Sequence, residues 1–203
     1  MAQPTHFNTL ADTLWPANAE QHSWLRNLML AFAGSVLLAI SAKINIPFYP
    51  VPMTMQTFMV LCIGMAFGWR LGGATLLLYL GEGAIGLPVF AGTPEKGIGV
   101  AYMAGPTGGY LLGFLGAAVT VGWLAAKGWD RNMWTTLAAM LIGTSIIFIP
   151  GIIWLGMLFG WDKPILEWGL WPFLPGAGFK IGLAAAVLPL TWKYLVHKDK
   201  RED

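Results

Sequence analysis

Polar and apolar positions separate along this chain into long blocks. Apolar residues dominate six stretches, at about 24–42, 54–69, 71–88, 106–126, 133–160 and 174–194, parted by short polar or proline-rich connections. Runs of roughly twenty such residues are long enough to cross about 30 Å of hydrocarbon as a helix. The third block is interrupted by "GEGAIGLP" (81–88). The fifth carries Pro150-Gly151, where the missing backbone donor predicts a kink. Residues 1–23 hold Asp12 and Glu20 but no apolar core, so they read as a polar extension with an interfacial turn near Leu14 and Trp15, not as a secretory signal. The pattern predicts an all-α integral membrane protein with six transmembrane helices. Its parts are an extension (1–23), one helical domain (24–196) and a charged tail (197–203).

Composition sharpens that picture. Only 11% of the 203 residues are charged and 56% are hydrophobic, against about a quarter charged in a soluble domain. The net charge of +2 argues against nucleic acid as a partner. Cys62 is the lone cysteine, inside an apolar run, which removes a disulfide framework and a thiolate metal cluster.

The basic residues orient the blocks. Arg26, Arg70, Lys127, Arg131, Lys193, Lys198, Lys200 and Arg201 fall on one side, and only Lys43, Lys96, Lys163 and Lys180 on the other. Basic connections stay in the cytoplasm, so both termini are expected inside. Tryptophans near the block ends, such as Trp24, Trp69, Trp134 and Trp161, fit an interfacial belt. The inner turns are short. The outer connections are long and apolar: "NIPFYPVPMTMQTF" (45–58), "LPVFAGTPEKGIGVAYMAGPTG" (87–108) and "GWDKPILEWGLWPFLPG" (160–176). Loops of that kind over a small bundle predict a ligand pocket that faces outward.

Several chemistries are absent from the sequence. No GxxxxGK[ST] motif occurs, so the chain is not expected to hydrolyse nucleotide by itself. His6, His22 and His197 all lie in the terminal segments, and Ser145 is expected to bond within its own helix. The charges inside the apolar blocks are Lys43, Glu82 and Lys180. Glu82 lies about 16 Å above the inner side and Lys180 about 10 Å below the outer side, so both fall in the outer half of the core. Either they pair with each other, or they stand open for a polar ligand. Lys43 ends the first block and is expected to snorkel outward. On the first helix Ala31, Ser35 and Ala39 recur every four residues as a small-residue ridge, which lets helices approach closely in lipid.

Four stretches in order resemble one family. They are "IPFYPVPMTMQTF" (46–58), "GLPVFAG" (86–92), "GPTGGYLLGF" (105–114) and "PFLPG" followed by Lys180 (172–180). The chain is similar over about 170 residues to the BioY family, the biotin-binding S components of energy-coupling-factor transporters. The resemblance implies a six-helix bundle with both termini inside that takes biotin from outside. It implies a transmembrane coupling protein and two cytoplasmic ATPases as partners, besides the lipid bilayer, and no cofactor. The alternative is a stand-alone biotin carrier that works without ATPase partners.

The resemblance also implies roles for residues. The first outer loop becomes a lid, held in few conformations by Pro47, Pro50 and Pro52. Phe48, Tyr49, Met53 and Met55 would cover the apolar part of biotin, with Thr54 and Gln56 supplying hydrogen bonds. Val51, Phe90, Gly92, Tyr110 and Gly176, all within the quoted motifs, would complete the site. Lys180 would hold the carboxylate. The family's last motif has an aspartate after proline and glycine, and here Ala177 stands in its place. Glu82 is then expected to accept from the ureido ring, with Gln56, Thr54, Tyr110 or loop backbone as the other choices. The ridge of Ala31, Ser35 and Ala39 would face the coupling protein.

Overall fold

The structure, a computed structural model, describes residues 7–16 and 23–202, with side chains as far as 195. The tail at 197–203 and much of the extension at 1–23, His6 and His22 included, lie outside the described side chains. The elements in chain order are α1 (Leu10–Leu14), α2 (Ser23–Lys43), β1 (Asn45–Ile46), β2 (Met53–Thr54), α3 (Gln56–Ala84), α4 (Gly99–Met103), α5 (Gly108–Ala125), α6 (Met133–Phe159), α7 (Ile165–Gly169), a 3₁₀ turn (Trp171–Phe173) and α8 (Leu174–Glu202). Five helical stretches among the described residues are long and apolar enough to cross a membrane.

Five stretches replace the six expected blocks because 54–69 and 71–88 lie in one element, α3. Within α3, Gly68 sits at φ 76°, ψ 174°, a conformation that only glycine adopts at low cost. A Cβ on Gly72 would stand 3.2 Å from the Gly64 Cα, so the chain doubles back at Gly68. Residues 56–67 and 69–84 form two antiparallel arms. The second arm ends at Ala84, four residues before the expected boundary. The helix α6 runs as one element through Pro150 to Phe159.

Packing follows size more than polarity, as expected where every helix face is apolar. On α2 the buried side chains include Ala31, Ser35, Leu38, Ser41 and Ala42, with Arg26 near its start, while Phe32, Val36, Leu37 and Ile40 point outward. The expected partner ridge is therefore largely inside the bundle: Ala31 and Ser35 are buried and Ala39 packs against the core. The reason is steric. Small side chains let α2 approach α3 of its own chain. Between α3 and α5 the contact reaches backbone, since a Cβ on Gly122 would lie 2.5 Å from the Trp69 nitrogen. One end of the bundle is knitted by the leading segment. Thr9 caps α1, Leu10 and Ala11 are buried, and Arg26 binds both the Ala11 carbonyl and Asp12 at 2.9 Å.

Candidate functional site

The connection between α2 and α3 is a small hairpin. β1 and β2 pair antiparallel, Asn45 opposite Thr54 and Ile46 opposite Met53, and the Met55 nitrogen donates to the Ile44 carbonyl. The prolines lie in the tip between the strands and hold it in few conformations. The tip folds inward at its second half. Val51 and Pro52 are buried and line a cavity, whereas Tyr49 is 79% exposed. Phe48 leans on Phe173, with centroids 6.4 Å apart. The residues expected to cover a ligand, Phe48, Tyr49, Met53 and Met55, are not the cavity's lining. The non-strand tip folds Val51 and Pro52 inward together instead.

The cavity has about 580 Å³ free of protein atoms, its mouth included. Besides the hairpin, its walls come from α3 (Gln56, Thr57), the loops on either side of α4 (Phe90, Ala91, Thr107), α4 itself (Tyr102), α5 (Tyr110, Leu111, Phe114), α6 (Phe148), the 3₁₀ turn (Phe173) and α8 (Ala177, Lys180). Aromatic rings make most of this surface rigid. Phe90 stacks on Tyr102 at 5.1 Å, and Phe148 meets Tyr110 and Phe173 edge-on at 6.0 Å each. Rings held in such contacts offer a flat apolar surface with little conformational freedom left to lose on binding.

Each polar side chain in the wall has a traceable position. Among the described residues Lys180 is the one charged side chain of the lining. Its ammonium donates to the Thr54 carbonyl and, at 3.1 Å, to Thr57 Oγ1, so α8 is tied to the base of the hairpin. Gln56 donates through Nε2 to the Tyr79 hydroxyl at 2.6 Å, and Tyr79 donates to the Val89 carbonyl at 3.0 Å. That chain joins the first arm of α3, the second arm and the loop after it. The Tyr110 hydroxyl is spent on the Gly169 carbonyl at 2.8 Å.

Of the expected site residues, Lys180, Gln56, Thr54, Val51, Phe90 and Tyr110 line the cavity together, with Ala177 beside Lys180 on α8. Four do not. Met53 packs over Gly176, and Gly92 packs against the Lys96 side chain. Glu82 lies off the cavity, where its two carboxylate oxygens share the Ser35 hydroxyl at 2.9 Å. Depth had matched Glu82 with Lys180, but depth leaves azimuth open, and the helix rotation at Glu82 turns it toward α2. Lys43, expected to snorkel, is exposed and holds a loop. Its ammonium binds the Phe90 and Thr93 carbonyls at 3.0 Å each and Thr93 Oγ1 at 3.2 Å, pinning the loop that carries Phe90 into the cavity.

Sequence reasoning passed over Thr107, Leu111, Phe114, Phe148 and Tyr102. The first three had a readable signal, because Thr107, Tyr110, Leu111 and Phe114 recur at helical spacing of three, four and seven. Phe148 and Tyr102 come from distant segments, and no local pattern marks them.

A helical membrane bundle with an aromatic cavity, one buried-side cation and a proline-stiffened hairpin at its mouth defines a solute-binding membrane protein. A family model described as the BioY family matches residues 11–197, and this chain belongs to that family. The resemblance drawn from the four motifs is thereby borne out. A probable biotin transporter BioY of Pyrococcus horikoshii is 35% identical over 138 residues, 68% of this chain and 78% of that protein. The biotin transporter BioY of Thermotoga maritima is 35% identical over 163 residues, 80% and 94% of the two chains. A crystal structure of the S-component for biotin from an ECF-type ABC transporter superposes with a TM-score of 0.71 at 25% identity, covering 87% of this chain and 95% of that one.

Proposed function

We propose that this chain captures biotin at the outer face of the cytoplasmic membrane and delivers it inward, as the substrate-binding subunit of an energy-coupling-factor transporter. Its role is transport, as in the family to which it belongs. The observation that carries the reading is the cavity itself. Aromatic walls surround a single lysine, and biotin is an apolar bicycle and chain that ends in one carboxylate. Lys180 would take the carboxylate, since a compact cation with several donors suits it and a charge-assisted bond is about twice as strong as a neutral one. The ring system would lie among Phe90, Tyr110, Phe148 and Phe173.

In this reading the two arms of α3 count as separate crossings, giving six in all. Both termini face the cytoplasm, following the basic residues. The hairpin of 45–54 opens outward and closes over the ligand. A coupling protein and two ATPases supply the energy that the chain has no nucleotide motif to supply. The coupling protein would meet a face of the bundle other than the buried Ala31 and Ser35.

Calorimetry on the purified chain in detergent tests the ligand, with one biotin per chain expected. Clear heat from another vitamin and none from biotin would overturn the assignment. Radiolabelled biotin uptake in cells that lack every such ATPase module tests the partners. Abolished uptake supports the multi-subunit reading, and undiminished uptake supports a stand-alone carrier.

A further inference from the structure

The cavity wall holds one polar side-chain atom that nothing in the arrangement so far uses. Thr107 Oγ1 is buried, lines the cavity and has no hydrogen-bond partner. It lies near the Tyr102 phenol, but Tyr102 directs its own proton to the Ala91 carbonyl, and no bond of sound geometry joins the two hydroxyls. Native structures rarely leave a buried hydroxyl unpaired, because such a group has lost water and gained nothing for it.

We propose that Thr107 is a specificity-determining residue that hydrogen-bonds the ureido ring of the bound vitamin, in place of the acid that Ala177 lacks. The assignment rests on the biotin reading above. Each of its steps comes from the wall's own accounting. The ureido group presents two N–H donors and one carbonyl, so it needs acceptors and a donor. Ala177 lines the cavity and offers neither. Glu82 is turned away toward Ser35. The Tyr110 proton is committed to the Gly169 carbonyl, and Lys180, which can only donate, gives two of its three protons to Thr54 and Thr57 and keeps the third for the carboxylate. A threonine hydroxyl both accepts and donates, which matches the alternating edge of a cyclic urea. The carboxylate, in contrast, is already provided with Lys180.

The position is also built to be rigid. Thr107 directly precedes α5, and its carbonyl accepts from the Leu111 nitrogen at 3.1 Å. One helical face therefore carries Thr107, Tyr110, Leu111 and Phe114 into the same cavity. The preceding chain is anchored as well, because Trp154 Nε1 donates to the Gly105 carbonyl at 2.9 Å.

The test compares Thr107→Val, which keeps the branched shape and removes the hydroxyl, with Thr107→Ser, which keeps the hydroxyl. Calorimetry on the full chain would use biotin, biotin methyl ester and two cyclic carbamates, each with one ureido N–H replaced by a ring oxygen. Thr107→Val should weaken biotin about 5- to 100-fold, and Thr107→Ser should stay within about threefold of the parent. The valine penalty should persist with the methyl ester and shrink with at least one carbamate. Without ligand, Thr107→Val should melt no lower than the parent, since it deletes an unpaired group. Parent-like biotin affinity in Thr107→Val would overturn the assignment and leave the vitamin reading standing. So would a penalty that vanishes with the ester yet persists with both carbamates, which would place the hydroxyl on the carboxylate. A parent chain that binds no biotin would overturn the vitamin reading and this assignment with it.

Discussion

Lys180 shows how one side chain serves two ends of an argument. Its ammonium holds the hairpin through Thr54 and Thr57, and among the described residues it is the only charge in the lining. Lys180→Met keeps the length and removes the charge. Biotin affinity should fall by about 2–5 kcal/mol if a desolvated charge pair is lost. Calorimetry with biotin amide separates the two roles. The amide should lose little in Lys180→Met if the charge matters for the ligand, and should lose as much as biotin if the lysine only anchors the hairpin. Glu82 makes the opposite case. Ser35 is 1% exposed and donates its hydroxyl to the Glu82 carboxylate. Glu82→Ala should leave biotin affinity unchanged and lower unfolding stability by about 1–3 kcal/mol, because Ser35 is left without a partner. A thermal melt beside a biotin titration checks both halves.

Among the elements, α3 and α2 carry the testable claims. The reversal at Gly68 uses a backbone conformation nearly closed to other residues, and α5 packs on it through Gly122. Gly68→Ala should cost about 1–3 kcal/mol of stability, a strain penalty that repacking cannot remove. Differential scanning fluorimetry with a thiol dye reports it, Cys62 being half-buried in the same arm. The two faces of α2 should respond differently. Ser35→Trp forces a large ring between α2 and α3 and should lose both monodispersity and biotin binding. Val36→Trp points outward, so it should keep both. Size-exclusion profiles and calorimetry distinguish the pair.

Taken whole, the molecule has a binding end and a second end that is knitted by different chemistry. At the second end Arg131 lies between the Phe7 and Trp192 rings, at 4.3 and 4.2 Å. Trp192 Nε1 donates to Asp130 at 2.6 Å, and Asp130 is 1% exposed with its other oxygen unpartnered. Burial pushes the Asp130 carboxyl above the ordinary carboxylate range, against the opposing pull of Trp192. The fold therefore binds that proton more tightly than the unfolded chain does. The penalty of holding Asp130 ionised is fully present at neutral pH, and it disappears as pH falls through the raised value toward the unfolded one. Asp12 contributes with the other sign: burial raises it, but Thr9 and Arg26 together bring it below its usual value. Its stabilisation is lost as pH falls. The difference between parent and Asp130→Asn isolates the first effect. Thermal melts should show that the parent gains on the variant as pH is lowered from neutral, and parallel curves would refute the assignment.

Residence in a membrane, the positions of the long helices and the three elaborate connections were all determined by the sequence alone. They depend on local composition, and a run of apolar residues has the same meaning whatever surrounds it. The four motifs carried the family in the same way, since a motif is local order. Lys180, Gln56, Thr54, Val51, Phe90 and Tyr110 could be named from them before any contact was known. The tertiary structure decided which way each helix is turned. Alternation of polar and apolar residues orients a helix in a soluble protein, but in lipid both faces are apolar and the pattern carries no azimuth. For that reason Ser35 could be read as a free ridge when it binds Glu82, and Lys43 as a snorkelling end when it grips Phe90 and Thr93. Each of those pairs joins residues 47 or more positions apart, and Lys180 reaches across 123 to Thr57. Contacts at such separation form only when the bundle closes, and only closure leaves the Thr107 hydroxyl buried with no partner of its own.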